Sequence, residues 1–167
     1  GLGEEYVVPT KATTIGDAVF KGCQTLRYIT IHDKVTSICK EAFSGCTSLN
    51  AITIPDSVKS IGSNAFSGCN NLSTITIGAG LTTIADGLFS NLGKLTDITI
   101  GSGVTSIGSR AFSNCTSLSN ITIPDGVKSI GSDAFSGCSN LSTIVIGAGV
   151  TTIADNLFSN LGKLTDI

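Results

Sequence analysis

The sequence predicts a right-handed solenoid in which one 23-residue unit makes one full revolution. A strict repeat is the first observation that favours this fold, because all seven phenylalanines share one step of 23 residues: Phe20, Phe43, Phe66, Phe89, Phe112, Phe135 and Phe158. Leucines repeat at the same step from Leu26 to Leu164. Each unit also carries a segment that alternates apolar and polar residues, as a short strand does. A single unit cannot bury its own apolar face, whereas stacked units cover one another.

The unit from Cys46 to Gly68 shows how each part is expected to fold. Residues 52–54 read Ile-Thr-Ile and predict a strand, which Pro55-Asp56 ends by turning the chain. A second short extended piece is expected from 58 to 61, and residues 62–68 are expected to form a single helical turn. The predicted class is therefore α/β, with mostly short strands that stack in parallel at about 4.8 Å.

The repeat predicts a single domain over residues 1–167, with a partial unit at 1–22, six full units at 23–160 and a truncated unit at 161–167. A longer period of 69 residues lies over it, since residues 46–98 and 115–167 differ at only eight of 53 positions. The chain lacks methionine, so it is expected to begin downstream of its native start. Because it stops within a strand, we expect an open sheet edge and end-to-end self-association.

Composition excludes several functional classes. Hydrophobic residues make up 41 % of the chain and charged residues 13 %, with a net charge of −2. No block of like charge occurs, which argues against a nucleic-acid partner and a polybasic membrane anchor. No apolar run approaches the ~20 residues of a membrane span, and the chain is too apolar to be disordered.

Five of the six cysteines occupy one repeat position: Cys23, Cys46, Cys69, Cys115 and Cys138. Leu92 and Leu161 stand at the same position, which favours a column of buried thiols that pack as small apolar residues. Disulfides between neighbouring units are the alternative, but parallel equivalent positions fit disulfide geometry poorly. A zinc site is disfavoured because CxxC spacing is absent. Cys39 is either a buried small residue or a half-exposed thiol.

No catalytic, cofactor-binding or metal-binding residues are predicted. His32 is the one histidine, and Asp33 beside it belongs to a position where aspartate recurs without histidine, so no catalytic triad is indicated. Recurring carboxylates lie three units apart, too far to share a site. The sequence therefore predicts a protein that is not an enzyme.

The threonines of the predicted strands form a column that is expected to point outward. Two interpretations are open. The threonines are present either because they favour strands on a solvated face, or because they form a surface that contacts a ligand. Arg27 and Tyr28 lie beside it, and both residue types are enriched among interface anchors. The candidate partner-binding residues are Arg27, Tyr28, Thr30, His32, Thr53, Thr76, Thr99 and Thr122.

The pattern C-x-x-L-x-x-I-x-I-P-x-x-V-x-x-I-G-x-x-A-F-x-G resembles the leucine-rich repeat of BspA-like surface proteins, over nearly the whole chain from Tyr6. Leu88 and Leu157 depart mildly from the alanine of that pattern. The resemblance implies a curved leucine-rich repeat solenoid with a parallel sheet on one face. It also implies a location outside the cell, on a bacterial surface, and adhesion to host proteins such as fibronectin or fibrinogen.

The leading functional hypothesis is a non-enzymatic recognition or adhesion module. Its concave sheet face would bind extracellular proteins or glycans of a host or of neighbouring cells, and the module would need no cofactor. A structural spacer without its own ligand is the alternative. An enzyme would need clustered titratable groups, and the sequence contains none.

Overall fold

The structure, a computed structural model, describes residues 3–167 and shows a solenoid with one unit per revolution. Every strand pairing in the described chain is parallel and joins residues 23 positions apart, such as Ile52 with Ile75 and Ile75 with Ile98. The predicted parallel stacking is therefore confirmed. We call one revolution a coil. The right hand of the coil and the domain boundaries stay predictions.

Two strands of different length form in each coil because each unit has two extended segments. The longer strands build the long-strand sheet: β1 (Glu5–Val7), β3 (Tyr28–Thr30), β5 (Ala51–Ile54), β7 (Thr74–Ile77), β9 (Asp97–Thr99), β11 (Asn120–Ile123) and β13 (Thr143–Ile146). Two-residue strands build the short-strand sheet: β2 (Thr14–Ile15), β4 (Ser37–Ile38), β6 (Ser60–Ile61), β8 (Thr83–Ile84), β10 (Ser106–Ile107) and β12 (Ser129–Ile130). Within β5, Ile52 and Ile54 are buried and Thr53 is exposed, as the alternation predicts.

The predicted helical turn over residues 62–68 is wrong. No helix forms in the part of the chain that the structure describes, and Asn64 and Gly68 take positive φ values of 57° and 76°. An α-helix needs negative φ at successive residues, so two left-handed residues four positions apart prevent it. The segment instead makes tight turns whose backbone bonds to the next coil, as when the Phe43 N–H donates to the Ala65 carbonyl at 2.9 Å.

This left-handed pair repeats in every unit and defines the third side of the solenoid, which we call the turn side. The first left-handed column is Ala18, Glu41, Asn64, Gly87, Arg110, Asp133 and Asn156; the second is Gly22, Gly45, Gly68, Asn91, Asn114, Gly137 and Asn160. Glycine, asparagine and aspartate dominate both columns because they tolerate positive φ best.

The core consists of continuous columns, as the repeat predicts. Six phenylalanine rings, from Phe20 to Phe135, stack with centroids 5.3–5.7 Å apart. Tyr6 covers the first ring edge-on, with its centroid 5.0 Å from that of Phe20. The leucine column from Leu26 to Leu141 is fully buried beside the rings. Each unit is thus stabilised by apolar area that only its neighbours can cover.

Candidate recognition surface

Two columns of side chains cover the exposed face of the long-strand sheet. The two columns follow from strand register within each group of paired strands and from the 23-residue step between the groups. The first is Glu5, Tyr28, Ala51, Thr74, Asp97, Asn120 and Thr143, and the second is Val7, Thr30, Thr53, Thr76, Thr99, Thr122 and Val145. All the candidate threonines except the half-buried Thr76 are exposed. The sequence therefore places Tyr28 and the five threonines on one surface, which we call the sheet face.

The largest exposed side chains of the sheet face lie at its N-terminal end. Tyr28 is 48 % exposed and lies beside Glu5 in the parallel register. The Arg27 Nε is 3.7 Å from Glu4 Oε1, and both side chains are more than half exposed. An ion pair this exposed contributes little stability, so the guanidinium can exchange Glu4 for another carboxylate at small cost.

His32 follows the end of β3 and has both ring nitrogens engaged. Its Nε2 lies 2.9 Å from the Pro9 carbonyl, and its Nδ1 accepts a hydrogen bond of 3.2 Å from the Lys34 N–H. Nε2 therefore carries the proton, since a carbonyl can only accept. The ring holds neighbouring coils together, and neither of its nitrogens is free for a partner.

The long-strand sheet is divided into three ladders by two prolines 69 residues apart. Ladders join β1 with β3, β5 with β7 and β9, and β11 with β13. Each break precedes the unit that carries Pro55 or Pro124. At the same position Gly78 donates its N–H to the Ile54 carbonyl at 2.8 Å, which a proline cannot do.

The second break opens a cleft of about 370 Å³ on the sheet face, lined by Ile98, Thr99, Ile100, Asn120, Thr122 and Pro124. Ile98 is only partly buried, whereas Ile52, Ile75, Ile121 and Ile144 in the same column are buried. Sequence reasoning missed this cleft, although the 69-residue spacing of the prolines was a usable signal.

The cysteine column is a set of buried thiols. Cys46, Cys69, Cys115 and Cys138 are buried, Cys23 and Cys39 are half-buried, and all six are free thiols in the structure. Burial raises the pKa of the Cys46 thiol to about 11 and that of Cys69 to about 12. The neighbouring Cys138 thiol and burial together raise the pKa of Cys115. A thiol that stays protonated is a poor nucleophile and a poor metal ligand.

Recurring aspartates connect neighbouring coils through their side chains. The Oδ1 of Asp56 accepts the Ala79 N–H at 2.7 Å, and the Oδ1 of Asp86 accepts the Ser109 N–H at 2.7 Å. Asp17 and Asp125 make the same contact one coil onward. The sequence predicts a turn at Asp56 but gives no sign of these bonds between coils.

Residues 3–167 contain neither a candidate metal site nor a candidate membrane-spanning helix. No group of three or more His, Cys, Asp or Glu side chains there could hold a metal ion. No helix within the same range is long and apolar enough to cross a membrane.

Comparison with known families identifies the repeat. The family described as "BspA type Leucine rich repeat region" matches residues 4–118 and 82–167, with six copies of its repeat. The chain belongs to the BspA-type leucine-rich repeat family. The resemblance expected from the sequence is thus confirmed, and with it the assignment to leucine-rich repeat solenoids. Such solenoids are scaffolds that present extended binding surfaces.

Solved structures show the same fold. A leucine-rich repeat protein of T. pallidum is 32 % identical with a TM-score of 0.79, and the match covers 98 % of this chain and 68 % of that one. A leucine rich cell surface protein of Faecalibacterium prausnitzii A2-165 is 29 % identical with a TM-score of 0.53, covering 98 % and 59 %. A comparison with curated proteins gives no match.

Proposed function

We propose that this chain is a non-enzymatic recognition module of a bacterial cell-surface protein, and that it binds an extracellular host protein through the sheet face. The observation that carries the proposal is the unpartnered sheet face itself, with two registered columns of side chains running along the solenoid. The F. prausnitzii relative, described as a cell surface protein, supports the location.

Two features of the sheet face offer anchors for such a partner. Arg27 and Tyr28 present a guanidinium and a phenol ring at one end, the residue types that dominate binding energy at protein interfaces. The cleft between Thr99 and Thr122 lies near the other end and exposes the edge of Ile98 to an inserted side chain. Five threonines at the 23-residue step, three of them paired in register, supply many shallow hydroxyl contacts between and beside these anchors.

A structural spacer is the second candidate. The uniformity of the threonine column favours it, because identical residues on successive coils give a partner little to distinguish. The spacer predicts no binding by this chain and no effect of changes at Arg27 or Tyr28.

The proposal is tested by measuring how the full chain binds immobilised fibronectin and fibrinogen at two salt concentrations. We expect saturable binding that falls at least tenfold in the R27A/Y28A double variant and weakens at higher salt. A K59A/K128A double variant is the matched control, because both lysines are exposed and lie on the short-strand side.

Unchanged binding in R27A/Y28A would be consistent with a recognition module whose main contact is the cleft instead of Arg27 and Tyr28. The T99R variant then tests binding at the cleft. Absence of binding to either protein would favour the spacer.

A further inference from the structure

A wide groove lies on the turn side, away from the sheet face. It has a volume of about 660 Å³ and is lined by Asp86, Gly87, Ser90, Asn91, Ser109, Arg110, Ser113 and Asn114. Every side chain in this lining is polar, and an open groove of this size accommodates a small ligand. An apolar ligand would gain nothing there, so the lining selects for a hydroxyl-rich or charged molecule.

The groove exists where one side chain is missing from the first left-handed column. Gly87 has φ +61° and stands between Asn64 and Arg110 in that column. In the second copy of the 69-residue block, Asn156 replaces it, which is one of the eight differences between the copies. A Cβ at Gly87 would meet only Ser90 Oγ at 3.6 Å, so the opening is not required by packing.

Hydrogen-bonding groups in the groove are partly paired and partly free. The Nδ2 of Asn114 donates to Oδ1 of Asn91 at 3.0 Å, which leaves the Asn91 Nδ2 and the Asn114 Oδ1 outside that bond. Asp86 uses one carboxylate oxygen for the Ser109 N–H. Its other oxygen takes part in none of the hydrogen bonds found within residues 3–167.

Ser113 adds a hydroxyl to the floor of the groove. It is the one polar residue that is buried among those the structure describes, with 8 % exposure, and it lines the groove. Its hydroxyl makes none of the side-chain hydrogen bonds found in residues 3–167, whereas the equivalent Ser90 hydroxyl donates to the Gly87 carbonyl at 2.9 Å. Every fully buried side-chain nitrogen or oxygen of the described residues has a partner, so the unbonded Ser113 hydroxyl is the part of this residue that opens into the groove. It can therefore donate to or accept from a bound molecule.

Arg110 gives the groove a positive charge that favours an anionic ligand. It belongs to no ion pair of the described residues, and Asp86 across the groove lies beyond salt-bridge distance. A guanidinium pairs best with a planar carboxylate. Neighbouring hydroxyls of a sugar act as both donors and acceptors, which matches the mixture of amide, carboxylate and hydroxyl groups around Arg110.

We propose that this groove binds a carboxylated carbohydrate, with its carboxylate on Arg110 and its hydroxyls on Asp86, Asn91, Ser113 and Asn114. The site is separate from the sheet face and goes beyond the proposed protein recognition. It would add glycan binding to the same module.

Titration of the ¹⁵N-labelled full chain with 3′-sialyllactose, and in parallel with lactose, tests the site by amide NMR. We expect saturable shifts at Gly87 and Arg110 with 3′-sialyllactose at millimolar concentration, and at least tenfold weaker binding of lactose. R110N should weaken the binding of 3′-sialyllactose at least tenfold, because it removes the charge-assisted hydrogen bond between the guanidinium and the carboxylate. Asn64 and Asn156 already occupy this column with positive φ, so R110N is expected to fold.

G87N fills the groove with the residue of the second block copy and should abolish the shifts. D133N is the matched control, since it changes one charge at the next position of the same column, outside the groove lining. The proposal is overturned by an absence of saturable shifts in the unmodified chain, by binding that survives G87N, or by equal affinity for lactose.

Discussion

The Sγ of Cys69 donates a hydrogen bond of 3.2 Å to the carbonyl oxygen of Phe43 on the preceding coil. Cys46, Cys115 and Cys138 make the same contact at 3.1–3.2 Å. Leu92 fills the same column position and cannot donate, so the column combines apolar packing with a weak buried hydrogen bond. The cysteines therefore connect successive coils without a covalent bond.

Thiol accessibility should separate the two classes of cysteine. In the native, unreduced chain we expect Ellman's reagent to react with at most the two half-buried thiols, Cys23 and Cys39. All six thiols should react after denaturation without reductant. A C23S/C39S variant should abolish the fast native reaction. Fewer than six thiols in the denatured chain would mean disulfides and would contradict the free-thiol column.

The buried thiols whose pKa is raised, those of Cys46, Cys69 and Cys115, should make stability fall at alkaline pH. The Cys69 thiol keeps its proton in the folded chain up to a pKa of about 12, whereas its ordinary value is 9.0. Above pH 9 the unfolded chain loses this proton and the folded chain does not, so the free energy of unfolding decreases as pH rises. Each such thiol contributes up to about 1.4 kcal/mol per pH unit.

Urea unfolding of the unmodified chain and of C69A between about pH 9 and pH 12 measures this effect. C69A should be less stable at neutral pH and should show a shallower alkaline decline. Equal slopes in the two proteins would contradict burial of a protonated thiol. The comparison cancels the titration of lysines and tyrosines, which both proteins share.

Close approach of neighbouring coils should make Gly103 intolerant of a side chain. A Cβ there would collide with the Ala79 carbonyl oxygen on the preceding coil. We expect G103A to lose about 1–3 kcal/mol of unfolding free energy in thermal or urea denaturation. G93A is the matched control, since its Cβ would meet only Thr116 Oγ1 at an ordinary 3.5 Å. Similar losses in both variants would refute the steric explanation.

Removal of one ring from the phenylalanine column should be costly in its middle and mild at its end. Phe89 is fully buried between Phe66 and Phe112, with centroids 5.5 and 5.7 Å away, and F89A should cost about 3–5 kcal/mol. Phe158 is only partly buried, so F158A should cost clearly less. Equal destabilisation by the two substitutions in denaturant unfolding would argue against a ring column with an open end.

Sequence alone predicts the repeat, the parallel strands and the buried columns, because each depends on apolar residues at a strict 23-residue step. The turn side was mistaken for a helical turn, since Ala65 and Phe66 are compatible with either backbone. Asn64 and Gly68 decide between them through their positive φ. Sequence reasoning missed both grooves, because one missing hydrogen bond at Pro124 and one missing side chain at Gly87 change the surface and leave the repeat intact.

The fold places most of the candidate residues on one surface, but not all of them. Tyr28 and the five threonines share the sheet face, and Arg27 lies at its edge beside Glu4. His32 instead joins two coils through its Nε2, while its Nδ1 accepts a bond within its own coil; periodicity could not indicate this because no other unit carries histidine. Their role in partner binding stays a prediction.

The most direct test of the sheet face compares the fibronectin affinity of three arginine substitutions, one on each side of the solenoid. Thr99 lies on the sheet face, Thr105 on the short-strand side and Ser67 on the turn side, and all three are exposed. We predict that T99R weakens binding at least tenfold while T105R and S67R bind as the unmodified chain does. Binding that survives T99R but is lost in T105R or S67R would contradict recognition through the long-strand sheet.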